Sequence, residues 1–388
     1  MHAPAATQAA SRAQLSITPA DGSKNVRPDR GIAVTSAHGK ITSVTVATVG
    51  DQVSGALSAA GSSWHSTWAL GVSQHYTVTA RAVSPSGQQV TQTSSFTTLT
   101  PASTFRTTIF EGLGQTYGVG MPVMLIFSQP IADKKAVERS LQLRTSKPVI
   151  GAWHWDGSQT LDFRPRDYWP ADTRVSFTGH LNGVRGGPGM YGSHTLTQSF
   201  TIGASLIVVA STATHHMKVY KNGKLFSRWP ISTGKPGDNT PNGTYLTIEK
   251  ANPVLMKGPG YALEVPFSVR ITWSGDYLHA ASWSVGQQGS VNVSHGCVNM
   301  APADAEIYYK MAIPGDPVTV TGSPRAGVWD NGWTEWFLPW KQFVNGSALH
   351  EAVQAGPDGS TFVSPATLPA SSATTPLGAP RQDNWAAS

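Results

Sequence analysis

From Leu15 to Leu99 the chain is divided by turn residues into short stretches rich in β-branched and aromatic side chains, a rhythm that admits strands far better than helices. Tyr76-Thr77-Val78-Thr79-Ala80-Arg81-Ala82-Val83 alternates cleanly, which gives one face to a core and the other to water; Ile41 to Val49 alternates imperfectly. Short strands between regular turns predict a small β-sandwich. A second unit of similar length follows. Its ending, Ser199-Phe200-Thr201, echoes Ser95-Phe96-Thr97, and each is preceded by a strand candidate (Val175 to Leu181, Tyr76 to Val83) and a polar turn, the pattern of a duplicated sandwich. Composition agrees: charged residues make up only 13%, against 39 Gly and 27 Pro. With 388 residues the chain exceeds one ordinary core, and we expect three domains.

From Ile202 the character changes. Ser205 to Ala210 is a continuous apolar run of the buried-strand kind, and Met217 to Leu225 reads as two strands around the Asn222-Gly223 turn. Further strands are expected at Thr244 to Glu249 and Pro317 to Val320, with one helix at Pro302 to Met311, where Pro opens the first turn and Asp304 and Glu306 come early. Trp329, Trp333, Trp336 and Trp340 should pack rather than bind a ligand. Beyond Asn345, Ala, Ser, Pro, Thr and Gly dominate and a flexible tail is expected. The reading is mainly β: a disordered start (1–14), two sandwiches (15–100 and 101–202), a mixed β domain with one short helix (203–322), a Trp-rich extension (323–345) and the tail (346–388).

A formal net charge of +6 points to an acidic partner such as nucleic acid, lipid headgroups or wall polymer, or to nothing more than a solvated basic surface. Nucleic acid is disfavoured, because the Lys and Arg residues are dispersed and no zinc-ligand spacing or recognition-helix pattern accompanies them. No run of about 18 apolar residues exists to cross a membrane as a helix. Met1 to Gln14 lacks the apolar core of a signal peptide, and an export signal or anchor is not present in the given residues, which is only weak evidence for the cytoplasm.

The chain has one cysteine, which rules out an internal disulfide and leaves a thiol that is either buried and inert or exposed and reactive. In Val293-Ser294-His295-Gly296-Cys297-Val298-Asn299 that thiol follows a Gly, which lets backbone amides approach a ligand, and stands two residues from a His. A thiol needs a base or a cationic neighbour to lower its pKa from about 8.5, and His295 or His279 could serve. His279 follows the strand-like Asp276-Tyr277-Leu278, and fourteen residues lie between it and Ser294.

This combination resembles the L,D-transpeptidase signature: a His, a spacer of this length, then Ser or Thr, His, Gly, Cys, an apolar residue and Asn. The resemblance extends through Ser232-Thr233-Gly234-Lys235, Thr240-Pro241-Asn242-Gly243, Tyr261 and Trp283-Ser284-Val285-Gly286, covering Ile202 to Phe343, and the two preceding sandwiches resemble immunoglobulin-like modules of actinobacterial members. It implies an exported peptidoglycan-cross-linking enzyme in which an ionised Cys297 is the nucleophile, His279 the general base and the backbone carbonyl of Ala280 the group that orients the imidazole. His295 and Asn299 would shape the pocket, and the amides around Gly296 and Cys297, with Tyr261, would form the oxyanion site. The segment Ala251 to Trp273 would be a flap with flexible points at Gly258 and Gly260, and substrate contacts would fall on Tyr261, Ser274, Gly275, Trp283, Ser294 and Asn299. Many relatives carry Ser where Ala280 stands.

The implied reaction is thiolate attack on the diaminopimelate–D-Ala bond of a tetrapeptide stem, then transfer of the thioester to the side-chain amine of an acceptor stem, with carbapenems as acylating inhibitors. The location implied is the cell wall or the outer face of the cytoplasmic membrane, with the sandwiches as spacers. No cofactor or metal is expected. An L,D-carboxypeptidase with water as acceptor, and a non-catalytic wall-binding protein, are the competing readings.

Other candidate sites are weaker. His215-His216, if in a strand, point to opposite faces and lack further ligands at metal spacing. Asp162, Arg164, Arg166 and Asp167 read as a solvated charged face. Asn182-Gly183 and Gly186-Gly187-Pro188-Gly189 read as turns, since no strand-to-helix context follows to make a phosphate cradle.

Overall fold

The computed structural model describes residues 12–369 except Pro259 and Gly260, with Tyr261 described by its backbone alone. The chain divides into two compact units: one combines residues 1–108, 127–142 and 178–197, the other 109–126, 143–177 and 198–388. The range 101–202 therefore contributes segments to both.

In the first unit, strands Gln14–Thr18, Ala33–Ala37, Ser63–Ser66 and Gly55–Leu57 form one sheet and Lys40–Ala47, His75–Val83 and Gln89–Thr97 another. The clean alternation does what the pleat requires: Tyr76, Val78, Ala80 and Ala82 are all buried. The first three join Ile17, Val34 and Phe96 in one core.

The second unit is built around a nine-stranded sheet in the order Gly243–Leu246, Pro317–Thr321, Leu206–Ser211, His216–Lys221, Lys224–Ser232, Val298–Met300, Tyr277–Ala280, Ser268–Arg270, Lys250–Ala251. The apolar run Leu206–Ala210 lies on its third strand, paired on both sides and buried throughout. Asn222 (φ 49°) and Gly223 (φ 76°) take the left-handed conformations that close the tight hairpin after Lys221. Helix Pro302–Met311 forms where Pro and Asp304 mark its start, and buries Ala305 and Tyr308 in the core with Val208, Leu278 and Val298. The Trp-rich segment packs: Trp333 and Trp336 are buried, and the Trp336 indole donates to the Gly120 carbonyl at 2.8 Å.

Two expectations need correction. The chain does not lose structure after Asn345: Ala352–Gly356 and Gly359–Val363 form a hairpin whose first strand pairs with Val149–Gly151, burying Ala352, Val353 and Ala355. The window average hid this strand because its apolar residues are few, and a neighbouring sheet edge supplies the other half of the core. Residues 370–388 of the expected tail, and 1–11 of the expected disordered start, lie outside the described residues. Nor are Asp162 and Arg164 a solvated face, since both are buried on strand Thr160–Pro165. The Arg164 guanidinium lies 4.5 Å from the ring centres of both Trp336 and Phe343, and its Nη2 donates to the Leu338 carbonyl at 2.8 Å. Only Arg166 and Asp167 keep exposure, in a 3.4 Å ion pair.

Candidate active site

Strands Tyr277–Ala280 and Val298–Met300 run parallel, with Leu278 opposite Val298 and His279 opposite Asn299. Register partners in a sheet share a face, so His279 and Asn299 are presented to the same side, and Cys297 immediately precedes the second strand, two residues before Asn299. The opposite side, Leu278 with Val298, goes into the core. Chain pairing thus joins two motif residues twenty positions apart in sequence.

The His279 ring is buried, and its Nδ1 lies 2.9 Å from the Ala280 carbonyl oxygen. A carbonyl only accepts, so Nδ1 carries the proton and Nε2 keeps its lone pair. Burial pushes the imidazole down to about 4, partly opposed by that carbonyl. Cys297 is half-buried, and its thiol donates to the Gly275 carbonyl at 3.7 Å. Desolvation pushes the thiol up to about 12; the Tyr277 backbone amide works against this and the Asp276 carboxylate adds to it. Both shifts favour the neutral forms, and both groups direct their hydrogen bonds to backbone carbonyls. Burial thus works against the standing thiolate expected from sequence, because low dielectric penalises both charges of an ion pair.

The loop carrying Cys297 is braced from several sides. The Ser294 hydroxyl donates to the Cys297 carbonyl at 2.6 Å and accepts from the Gly296 amide at 3.2 Å. Thr240 Oγ1 donates to the Gly296 carbonyl at 2.6 Å and accepts from the Gly234 amide at 2.9 Å, which accounts for the Thr-Gly and Thr-Pro-Asn-Gly elements upstream. Gly296 has φ 134°, and a Cβ there would lie 2.6 Å from Asp276 Oδ1. Gly296→Ala is therefore expected to displace the sulfur, lowering turnover roughly tenfold or more with a smaller change in stability; steady-state kinetics alongside thermal denaturation checks this.

The remaining sequence candidates are placed as follows. His295 is exposed, and its Nε2 receives the Lys235 ammonium at 2.9 Å, so that nitrogen is occupied. Asn299 is buried, with its Nδ2 donating to Ser284 Oγ at 3.0 Å. Ser274 Oγ accepts from Asn331 Nδ2 at 2.9 Å, and Gly275 (φ 103°) offers its carbonyl to the thiol. Trp283 is 52% exposed, with its ring centre 6.0 Å from that of His279, the geometry of an apolar rim beside the imidazole. Tyr261 opens strand Tyr261–Val265, which pairs with Val254–Gly258 as a separate hairpin in the stretch read as a flap; its side chain and Gly260 lie outside the described residues. His215 sits in a turn at φ 55°, not in a strand, and its Nδ1 is 2.9 Å from Asn292 Oδ1.

Sequence reasoning missed Asp276. It is buried, accepts from Thr272 Oγ1 at 2.8 Å and faces Gly296. Its neighbours in sequence gave no sign that a carboxylate would close in under the nucleophile loop.

Comparison with known proteins identifies the family. A family model described as "L,D-transpeptidase catalytic domain" matches residues 205–320, and one described as "Bacterial Ig domain" matches residues 23–185. The chain is 33% identical to L,D-transpeptidase 2 of Mycobacterium tuberculosis (strain CDC 1551 / Oshkosh), covering 86% of this chain and 85% of that protein. It is 35% identical to L,D-transpeptidase 5 of M. tuberculosis H37Rv, over 87% and 77% of the two chains. Among solved structures, LD transpeptidase LdtMt1 in complex with imipenem aligns at 36% identity and TM-score 0.48, over 57% of this chain and all of that one.

Proposed function

Because the chain belongs to the L,D-transpeptidase family, enzymes of peptidoglycan cross-linking, we propose that Cys297 is its nucleophile and His279 the general base of a two-step acyl transfer. The observation that supports this reading is the pairing of His279 and Asn299 across two parallel strands, which sets a tautomer-fixed imidazole beside the strand that directly follows the single cysteine.

With both groups neutral, the proton leaves as the bond forms. Sγ attacks the carbonyl of the diaminopimelate–D-Ala bond while His279 Nε2 takes the thiol proton, and the imidazolium that results is held by the Ala280 carbonyl. Of the expected oxyanion donors the Gly296 amide already serves Ser294, which leaves the role to the Cys297 amide with Tyr261, a contribution of about 2.7 to 4 kcal/mol for one such donor. Collapse breaks the C–N bond, and His279 returns the proton to the departing D-Ala amine. The acceptor stem's side-chain amine then attacks the thioester, loses its proton to His279 and restores the thiol. Trp283 and Ser274 flank this path as substrate contacts. Carbapenems acylate the same sulfur through their strained amide. Among the described residues no helix is long and apolar enough to cross a membrane; we place the enzyme outside the cytoplasmic membrane, where its polymer lies.

Intact-mass analysis after incubation with a disaccharide-tetrapeptide donor tests the proposal. A thioester adduct that maps to Cys297 and disappears in Cys297→Ala is expected, and turnover by Cys297→Ala would end it. Product masses separate cross-linked dimer from the trimmed tripeptide of a carboxypeptidase.

A further inference from the structure

The hairpin His216–Lys221/Lys224–Ser232 concentrates charge that the catalytic reading does not use. From His216 to Pro230 there are four cations (Lys218, Lys221, Lys224, Arg228) and no acidic residue, in a chain whose net charge is +6. Lys218 stands directly opposite Arg228 across the two strands, and Lys221 opposite Lys224. Like charges directly opposite in an antiparallel pair are destabilising, and none of the ion pairs among the described residues involves Lys218 or Arg228. The fold therefore tolerates an unfavourable pair that a bound anion would relieve.

The register shows why these side chains converge. Val209 is opposite Lys218, Ser211 opposite His216, and Ser211 also opposite Thr321 on the parallel neighbour. One face of four adjacent strands thus presents Lys218, Arg228, His216, Ser211 and Thr321, with Thr214 from the turn between two of them, around a cavity of about 460 Å³ in which Val209 is the one apolar lining residue. Cations and hydroxyls without a carboxylate are the donor set for an oxyanion. The turn at the edge of this cavity is tied to the nucleophile loop: Asn292 Nδ2 donates to the Thr212 carbonyl at 2.9 Å, and Asn292 Oδ1 accepts from the Thr233 amide and hydroxyl. Asn292 lies five residues before Cys297.

We propose that this groove is a second, non-catalytic site that holds an anionic group of the wall polymer while Cys297 works on a stem peptide. It rests on the peptidoglycan reading above and adds a place where the polymer is gripped. Stem-peptide carboxylates and the phosphodiesters of attached wall polymers share the required chemistry, a repeated oxyanion on a chain long enough to reach both the groove and the nucleophile.

The test uses the full chain carrying Cys297→Ala, so that binding is read without turnover, in co-sedimentation with purified sacculi at rising salt. Adding Lys218→Gln and Arg228→Gln is expected to weaken retention roughly tenfold at low salt, the order for two partly solvated ion pairs, with the difference vanishing as salt screens it. In the otherwise wild-type chain the same double substitution should leave turnover of soluble disaccharide-tetrapeptide unchanged. Sacculi stripped of phosphodiesters, and sacculi with amidated carboxylates, assign the anion: loss of retention on one of them names its source. Equal retention with and without Lys218 and Arg228, or undiminished retention on sacculi lacking both anions, overturns the proposal. Failure of the nucleophile assignment would show instead in the mass of the donor adduct.

Discussion

Replacing His279 with Gln is expected to slow acylation by about 10²- to 10⁴-fold without unfolding the sheet, the range a positioned general base supplies. The buried thiol explains the size of the loss. With its pKa raised to about 12, on the order of one molecule in 10⁵ carries a thiolate at neutral pH unless a base removes the proton during attack. The pH profile separates this from a standing ion pair. In the wild type His279 titrates near 4, so its base form is fully populated from about pH 5 upward and acylation should be flat through neutrality. In His279→Gln the rate should climb about tenfold per pH unit, tracking the thiolate fraction toward the thiol pKa. Stopped-flow acylation by a carbapenem reads both profiles. A wild-type limb centred near neutrality, or a variant keeping more than about a tenth of the rate, would show that the sulfur is ionised by something other than this imidazole.

Much of this was legible in the sequence because the signals are local. Alternation in Tyr76–Val83 fixes which residues face a core, Asn222-Gly223 fixes a hairpin, and Pro302 with Asp304 fixes a helix start; each is decided within a few residues. The chemistry of Cys297 and His279 was legible as a motif, but their protonation was not, since desolvation depends on what the rest of the chain places around them. Asp276 is the sharpest example: its effect on the thiol comes through a glycine twenty residues later whose missing Cβ lets the carboxylate approach. Asp162 and Arg164 were misread for the same reason. Their partners arrive from the Trp-rich segment at 335–343, and nothing near residue 164 announces a covering layer.

That covering layer yields the second large effect. Glu111, Asp162 and Glu335 are buried with Arg164 in the second unit, and Glu111 Oε1, Asp162 Oδ1, Glu335 Oε2 and Arg164 Nε have no hydrogen-bond partner. Desolvation raises all three carboxyls, Glu111 to about 8 and Glu335 to about 7; Glu335 adds to the rise at Glu111 and Asp162, Asp156 adds to it at Glu335, and the Arg164 charge opposes it there. The sign follows from proton binding. A carboxyl whose folded pKa lies above its unfolded value of about 4 binds more protons when folded, so its contribution to stability is complete at acid pH and is lost as pH rises toward 7 and 8. The second unit is therefore expected to weaken between about pH 4 and pH 8, and Glu111→Gln with Glu335→Gln should flatten that slope.

Arg164→Met, which keeps the stem but removes the charge facing Trp336 and Phe343, should cost about 3–5 kcal/mol near neutral pH and make the slope steeper, because the carboxylates that form then have no cation among them. Since the chain holds two units, the readout is hydrogen exchange at strand Thr160–Pro165 across the pH range rather than one melting temperature. Protection that is independent of pH in the wild type, or Arg164→Met as stable as the parent, would mean that water reaches these groups and that the covering segment contributes packing without electrostatic control.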